Sequence, residues 1–197
     1  MLSILDELEK EQDQVELAIA KYANAQLEPF YSKRREILKQ NENLDFWPTV
    51  FKHVNVLDDF VSVEDNLILD EIDDFYVEKD SEGDKDLSIC MSIRENPFFK
   101  AIQFKKQLVW CKDTETQEKD SGFYTSPDRI NFEIKKRLPD DSLFHFFGYT
   151  TSSKHKERDQ NLEIANILAD EIFPAAIALF KLSEEDNVTD EYDISDA

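Results

Sequence analysis

Few residues of this chain combine the types and spacing that bond-making chemistry requires. The histidines, His53, His145 and His155, belong to no recognisable general-base or metal-ligand pattern. Cys90 and Cys111 sit in strand-like segments without a CxxC or Cys/His grouping, which suits reduced core thiols rather than a disulfide or a zinc site. With only three glycines there is no glycine-rich phosphate loop. Asp80-Ser81-Glu82-Gly83-Asp84 has a superficial likeness to a calcium loop, but its glycine is misplaced and Met91 stands where the closing carboxylate is needed. Asn187-Val188-Thr189 spells a glycosylation sequon without a signal peptide to make it operative. These features predict no catalysis, no cofactor and no metal.

What remains is carboxylate chemistry. Asp and Glu number 44 against 23 Lys and Arg, a formal charge of -21. Residues 58–86 carry 13 acids and 2 bases, and residues 183–197 carry 7 acids and no base, so two segments hold most of the excess. Such a field repels bare DNA and raises the encounter rate with a basic protein. No stretch approaches the roughly 18 apolar residues of a membrane span, and the reading is intracellular. The segment from Ser183 through Asp196 is poor in apolar residues and is expected to be a solvated, flexible tail.

The elements that must carry these acids follow from periodicity. Leu5, Leu8, Gln12, Val15, Ile19, Tyr22 and Gln26 recur in steps of three and four, the seam of a helix lying along a partner helix. From Ser3 to Gln26 that helix is about 36 Å long, more than a small domain covers. Self-association, parallel or antiparallel, supplies the missing apolar surface; a fold-back onto its own domain is the competing arrangement. Pro29 should bend the helix without ending it, because helical patterning resumes through Leu38 and stops near Asn41. Short helices are expected at Phe46 to Phe51 and Val56 to Phe60. Leu87, Ile89, Met91 and Ile93 alternate with polar residues, as do Ile102, Phe104, Leu108 and Trp110, with Lys106 as the interruption. With flanking strands in Leu67 to Val77 and Phe123 to Phe132, a four-stranded antiparallel sheet results. Asp140-Asp141-Ser142 can cap a helix start before Leu143-Phe144-His145-Phe146-Phe147, Thr150 to Gln160 reads as a loop, and Asn161 to Leu182 reads as a helix broken near Pro174. Phe98, Phe99 and Phe144 to Phe147 read as packing residues. The fold class is α+β: a long kinked helix over 1–41, a sheet domain covered by helices over 42–182, and the acidic tail over 183–197.

Four motifs in order give a resemblance. Lys21-Tyr22 with Pro29-Phe30-Tyr31-x-Lys33-Arg34 and the following Phe46-Trp47 and Phe51, Glu95-Asn96-Pro97-Phe98-Phe99, Ser142-Leu143-Phe144-His145-Phe146-Phe147, and Asp170-Glu171-Ile172-Phe173-Pro174 resemble the nucleosome assembly protein family in its SET-like branch, over roughly Lys21 to Phe180. Phe146 and Phe173 depart from the aromatic that the SET-like branch often has there, and the tail is short. The resemblance implies a homodimer joined by the long helices, with two "earmuff" domains forming an arch whose acidic underside receives core histones. It implies a nuclear, chromatin-bound histone chaperone, with or without shuttling to the cytoplasm, acting in nucleosome assembly, exchange or eviction on a core-histone pair or a histone variant. Matching positions make Glu163, Asp170 and Glu171 the ordered histone contacts, with Asp70, Glu71, Asp73 and Asp74 supplying the surrounding field; each is otherwise a solvated surface charge. Lys135-Lys136-Arg137 is a short basic run of the kind that aids nuclear import. The alternative function is an acidic coiled-coil adaptor that docks a non-histone partner.

Overall fold

The computed structural model describes residues 2–41, 44–79, 86–112, 122–126, 133–148 and 155–193. The expected calcium-like loop at 80–84 and the 127–132 half of the fourth strand lie outside them.

Helix α1 runs unbroken from Leu2 to Lys39, 38 residues with Pro29 inside, about 57 Å at the helical rise. Among the described residues, its first half, as far as Ile19, stands exposed. Ile4, Leu5, Leu8, Val15, Ile19, Tyr22, Phe30 and Ile37 are all exposed, Ile19 at 62% and Tyr22 at 69%. The helix is therefore not folded back on its own domain, and the apolar stripe continues past the expected seam. Contact with the domain is made near the C-terminal end. Arg34 is 6% exposed, with its guanidinium carbon 4.9, 5.4 and 4.3 Å from the ring centres of Tyr31, Trp47 and Phe173. Its Nη1 donates to the Phe173 carbonyl at 2.7 Å. Burial lowers its pKa to about 10, still well above neutrality.

Helix α2, Phe46–Lys52, lays Phe46, Trp47, Val50 and Phe51 into the core. Residues Leu67 to Leu69, expected at the start of a strand, instead form the short helix α3, Asn66–Leu69. The reason is local. Ser62 and Asp65 make a reciprocal capping box over the 3-10 turn Val63–Asp65, which starts helical turns just where strand pairing would have to begin. The second short helix is likewise a single 3-10 turn, Asn55–Leu57.

Strands β1 (Ile72–Lys79), β2 (Leu87–Ile93), β3 (Ile102–Lys112) and β4 (Gly122–Thr125) form an antiparallel sheet in chain order. The columns Phe75, Met91, Phe104 and Val77, Ile89, Lys106 face the core, while Tyr76, Cys90, Lys105 and Glu78, Ser88, Gln107 face the other way. One irregularity falls between Ile72 and Asp74, where Asp73 is the extra, bulged residue. The β2–β3 connection is closed by Asn96, whose Oδ1 accepts from the N–H groups of Phe98 and Phe99 at 2.9 and 3.1 Å, while both rings are sealed in the core. That is the physical content of the Glu95-to-Phe99 motif.

The core side of the sheet is covered by α2, by α4 (His145–Gly148), and by one long C-terminal rod. The rod comprises α5 (His155–Asn166), a π-helical segment (Ile167–Ile172) and α6 (Phe173–Asp193). The break expected at Pro174 is thus a widened turn, since proline has no N–H for the regular ladder. The rod also starts inside the expected loop and runs eleven residues beyond Leu182. The solvated tail expected from Ser183 onward is corrected to helix as far as Asp193. Ser183 is buried, and its Oγ donates to the Phe180 carbonyl one turn back in the same helix at 2.7 Å.

Candidate functional site

The acids expected to act together fall into two groups. Glu163, Asp170 and Glu171 are exposed on the C-terminal rod, whose opposite side buries Ile164, Ile167, Leu168, Ile172 and Phe173. Glu163 and Asp170 are seven residues apart, two helical turns along one face, or about 10 Å. Among the described residues, Glu163 and Glu171 have no cation partner. Asp170 holds Lys79, at the end of β1, at 2.5 Å.

The second group, Asp70, Glu71, Asp73 and Asp74, lies at the start of β1. The length of β1, roughly 23 Å, separates it from the first. Its charges are largely matched: Asp70 pairs with Lys52, Glu71 with Arg94 at 2.9 Å, and Asp73 with Arg94 at 3.8 Å. Asp74 differs in kind. It is 7% exposed, and one of its oxygens accepts from Arg35 Nε and Nη2 at 2.8 and 2.5 Å, with Lys39 at 3.7 Å. Asp74, expected as part of the surrounding acidic field, joins α1 to the sheet through Arg35. The structure brings Glu163, Asp170 and Glu171 together and does not join the β1 acids to them.

Two buried charges escaped the periodicity argument. Asp65 accepts from Ser62 N at 3.0 Å, Ser142 Oγ at 2.6 Å and Leu143 N at 2.9 Å, so one carboxylate clamps α3 to the segment leading into α4. Lys106 is fully buried, its Nζ 3.4 Å from the Phe147 carbonyl, and burial lowers its pKa to about 8. Both cysteines are free, and burial pushes the Cys90 thiol up, which disfavours the reactive thiolate. Among the described residues no cluster of three metal-ligating side chains occurs, and no helix is long and apolar enough to cross a membrane.

The geometry presents a projecting helix, an exposed apolar stripe and a row of carboxylates on the C-terminal rod. Comparison with known proteins agrees with this. No family model matches the chain. A nucleosome assembly protein of Schizosaccharomyces pombe is 27% identical over 205 residues, covering 95% of this chain and 82% of that protein. The Arabidopsis thaliana NAP1-related protein 2 is 26% identical over 90% of this chain and 72% of its own length. The chain is similar over most of its length to nucleosome assembly and NAP1-related proteins. Among solved structures, a Ccp1 mutant superposes with a TM-score of 0.79 at 23% identity, covering 95% of this chain and 97% of that one. The Vps75 histone chaperone superposes with a TM-score of 0.74 at 21% identity, covering 93% and 98%. At such identities these structures speak for the fold: long helix, four-stranded antiparallel sheet and covering helices are those of the nucleosome assembly proteins.

Proposed function

We propose that this chain is a non-enzymatic histone chaperone that works as a homodimer in the nucleus. The observation that carries the reading is a charge of -21 on a nucleosome assembly protein fold, with the exposed carboxylates Glu163, Asp170 and Glu171 displayed on the C-terminal rod. Histones carry dense Lys and Arg that otherwise bind DNA phosphates indiscriminately, driven by counterion release. A chaperone competes by offering carboxylates. Each exposed pair contributes only about 0.2–1 kcal/mol, so useful affinity needs many pairs. Pairing two chains along Leu5 to Gln26 doubles their number and adds avidity. Glu163, Asp170 and Glu171 make the ordered contacts; Asp70, Glu71 and Asp73 contribute a weaker field because their charge is already matched locally.

The test is a titration with core histones, with lysozyme as an unrelated basic protein, across a salt series. Reversing Glu163, Asp170 and Glu171 together to Lys should weaken core-histone binding at moderate salt at least tenfold, roughly 1.4 kcal/mol, with dimer mass unchanged. Equal affinity for lysozyme at every salt would reduce the chain to a general polyanion, and unchanged histone affinity in the triple variant would remove these residues from the site.

A further inference from the structure

We propose that the free edge of β1 receives an extended basic peptide by strand addition, in a groove walled by α1. The groove encloses about 440 Å³ between α1, β1 and the rod near Phe173 and Pro174. Four consecutive β1 residues line it, Tyr76, Val77, Glu78 and Lys79. Successive side chains of a strand point to opposite faces, so a groove that touches four in a row sees the strand edge-on. β1 is the terminal strand of the sheet, bonded on its other side to β2. Among the described residues no backbone group outside β2 bonds Tyr76 to Lys79. About half of the N–H and C=O groups of such a stretch point away from the sheet and need partners. The bulge at Asp73 disrupts the start of the edge, whereas Asp74 to Lys79 keep regular register.

The opposite wall is Asn24, Leu27, Glu28, Tyr31, Ser32 and Arg35 of α1. At about 100° per residue these centre roughly 160° around the helix from the stripe Leu5, Leu8, Gln12, Val15, Ile19, Tyr22 and Gln26. Pairing of two chains along the stripe therefore leaves the groove open. Charge selects the occupant. Both cations in the lining are already held, Arg35 by Asp74 and Lys79 by Asp170. Glu28, by contrast, bonds only the neutral Ser32 hydroxyl among the described residues. Leu27 and Tyr31 offer apolar seats for alternate side chains. An extended segment alternating Lys or Arg with aliphatic residues fits both walls, with the peptide backbone supplying the missing bonds. The proposal rests on the histone-chaperone reading for its guest and names a second contact on it.

The test is amide hydrogen exchange on the full chain with an alternating lysine–valine peptide, beside the same peptide N-methylated at alternate residues. The unmodified peptide should slow exchange of the outward amides within Tyr76 to Lys79, N-methylation should weaken binding about tenfold, and Leu27→Lys with Glu28→Lys should do the same without changing dimer mass. Absence of binding, unchanged exchange in β1 under saturating peptide, or equal affinity for the N-methylated peptide would overturn strand addition. Core-histone binding measured alongside separates the two ideas: histones held with β1 amides unprotected sink only the groove, and histones not held sink the function.

Discussion

Lys106 stands on the core face of β3 between Phe104 and Leu108, and a buried ammonium there costs stability unless its bonds repay the lost hydration. Its folded pKa of about 8 lies below the ordinary 10.5. The two states therefore bind protons equally below pH 8, and the folded state binds fewer between pH 8 and 10.5. The contribution of Lys106 to stability rises across that window. Lys106→Met should raise stability at pH 7 by on the order of 2 kcal/mol, and urea melts should show that advantage shrinking as pH climbs toward 10.5. Asp65 is the opposite case. Asp65→Ala strands the Ser62 and Leu143 amides and the Ser142 hydroxyl, and should lower the urea midpoint by about 2–3 kcal/mol of stability with Asn restoring part of it. Half of this was legible in the residues: Ser62 and Asp65 have the spacing of a cap, but no local pattern announces a bond to Ser142, 77 positions away. The Asp74 bond to Arg35 was hidden for the same reason, since an acid in an acidic run gives no sign that Arg35 will fold onto it.

Helix α1 was the most legible element, because an uncovered apolar stripe has a period and the period fixes which side is apolar. Leu8→Asp with Ile19→Asp should halve the mass seen by light scattering at micromolar concentration while leaving the near-ultraviolet signal of the sheet domain in place; an unchanged mass would show that the stripe is not the joint. The sheet was legible from alternation and the motif turn from Asn96 and Pro97. The ends of the C-terminal rod were not. Residues 155–160 and 184–193 are polar nearly throughout, so their helix, α5 and the last turns of α6, lacks an apolar rhythm to betray it. The candidate acids on that rod were reached through the family resemblance, not through spacing, and it is the buried side of the rod that shows why they stay exposed.

For the whole molecule the governing quantity is charge. Screening acts over about 10 Å at 0.1 M salt, so the encounter rate with basic proteins should fall steeply as salt rises, while contacts made by ordered carboxylates on the rod should persist longer. Truncation after Ser183 removes seven acids and no base. It should slow association with lysozyme and histones alike in stopped-flow traces and leave the sheet domain folded, because the core cluster and the residues packed on it lie upstream of the cut. Because α1 is one uninterrupted helix, two chains joined along its stripe as proposed would make it a crankshaft, with the joint at one end and the domain at the other locked in phase. One residue inserted after Leu27, beyond the last stripe residue Gln26, would swing each domain by about 100° about the shaft, and four inserted residues would bring it back to within about 40°. Guest holding should vanish in the first variant and largely return in the second, a cyclic dependence on insertion length that neither net charge nor composition would produce.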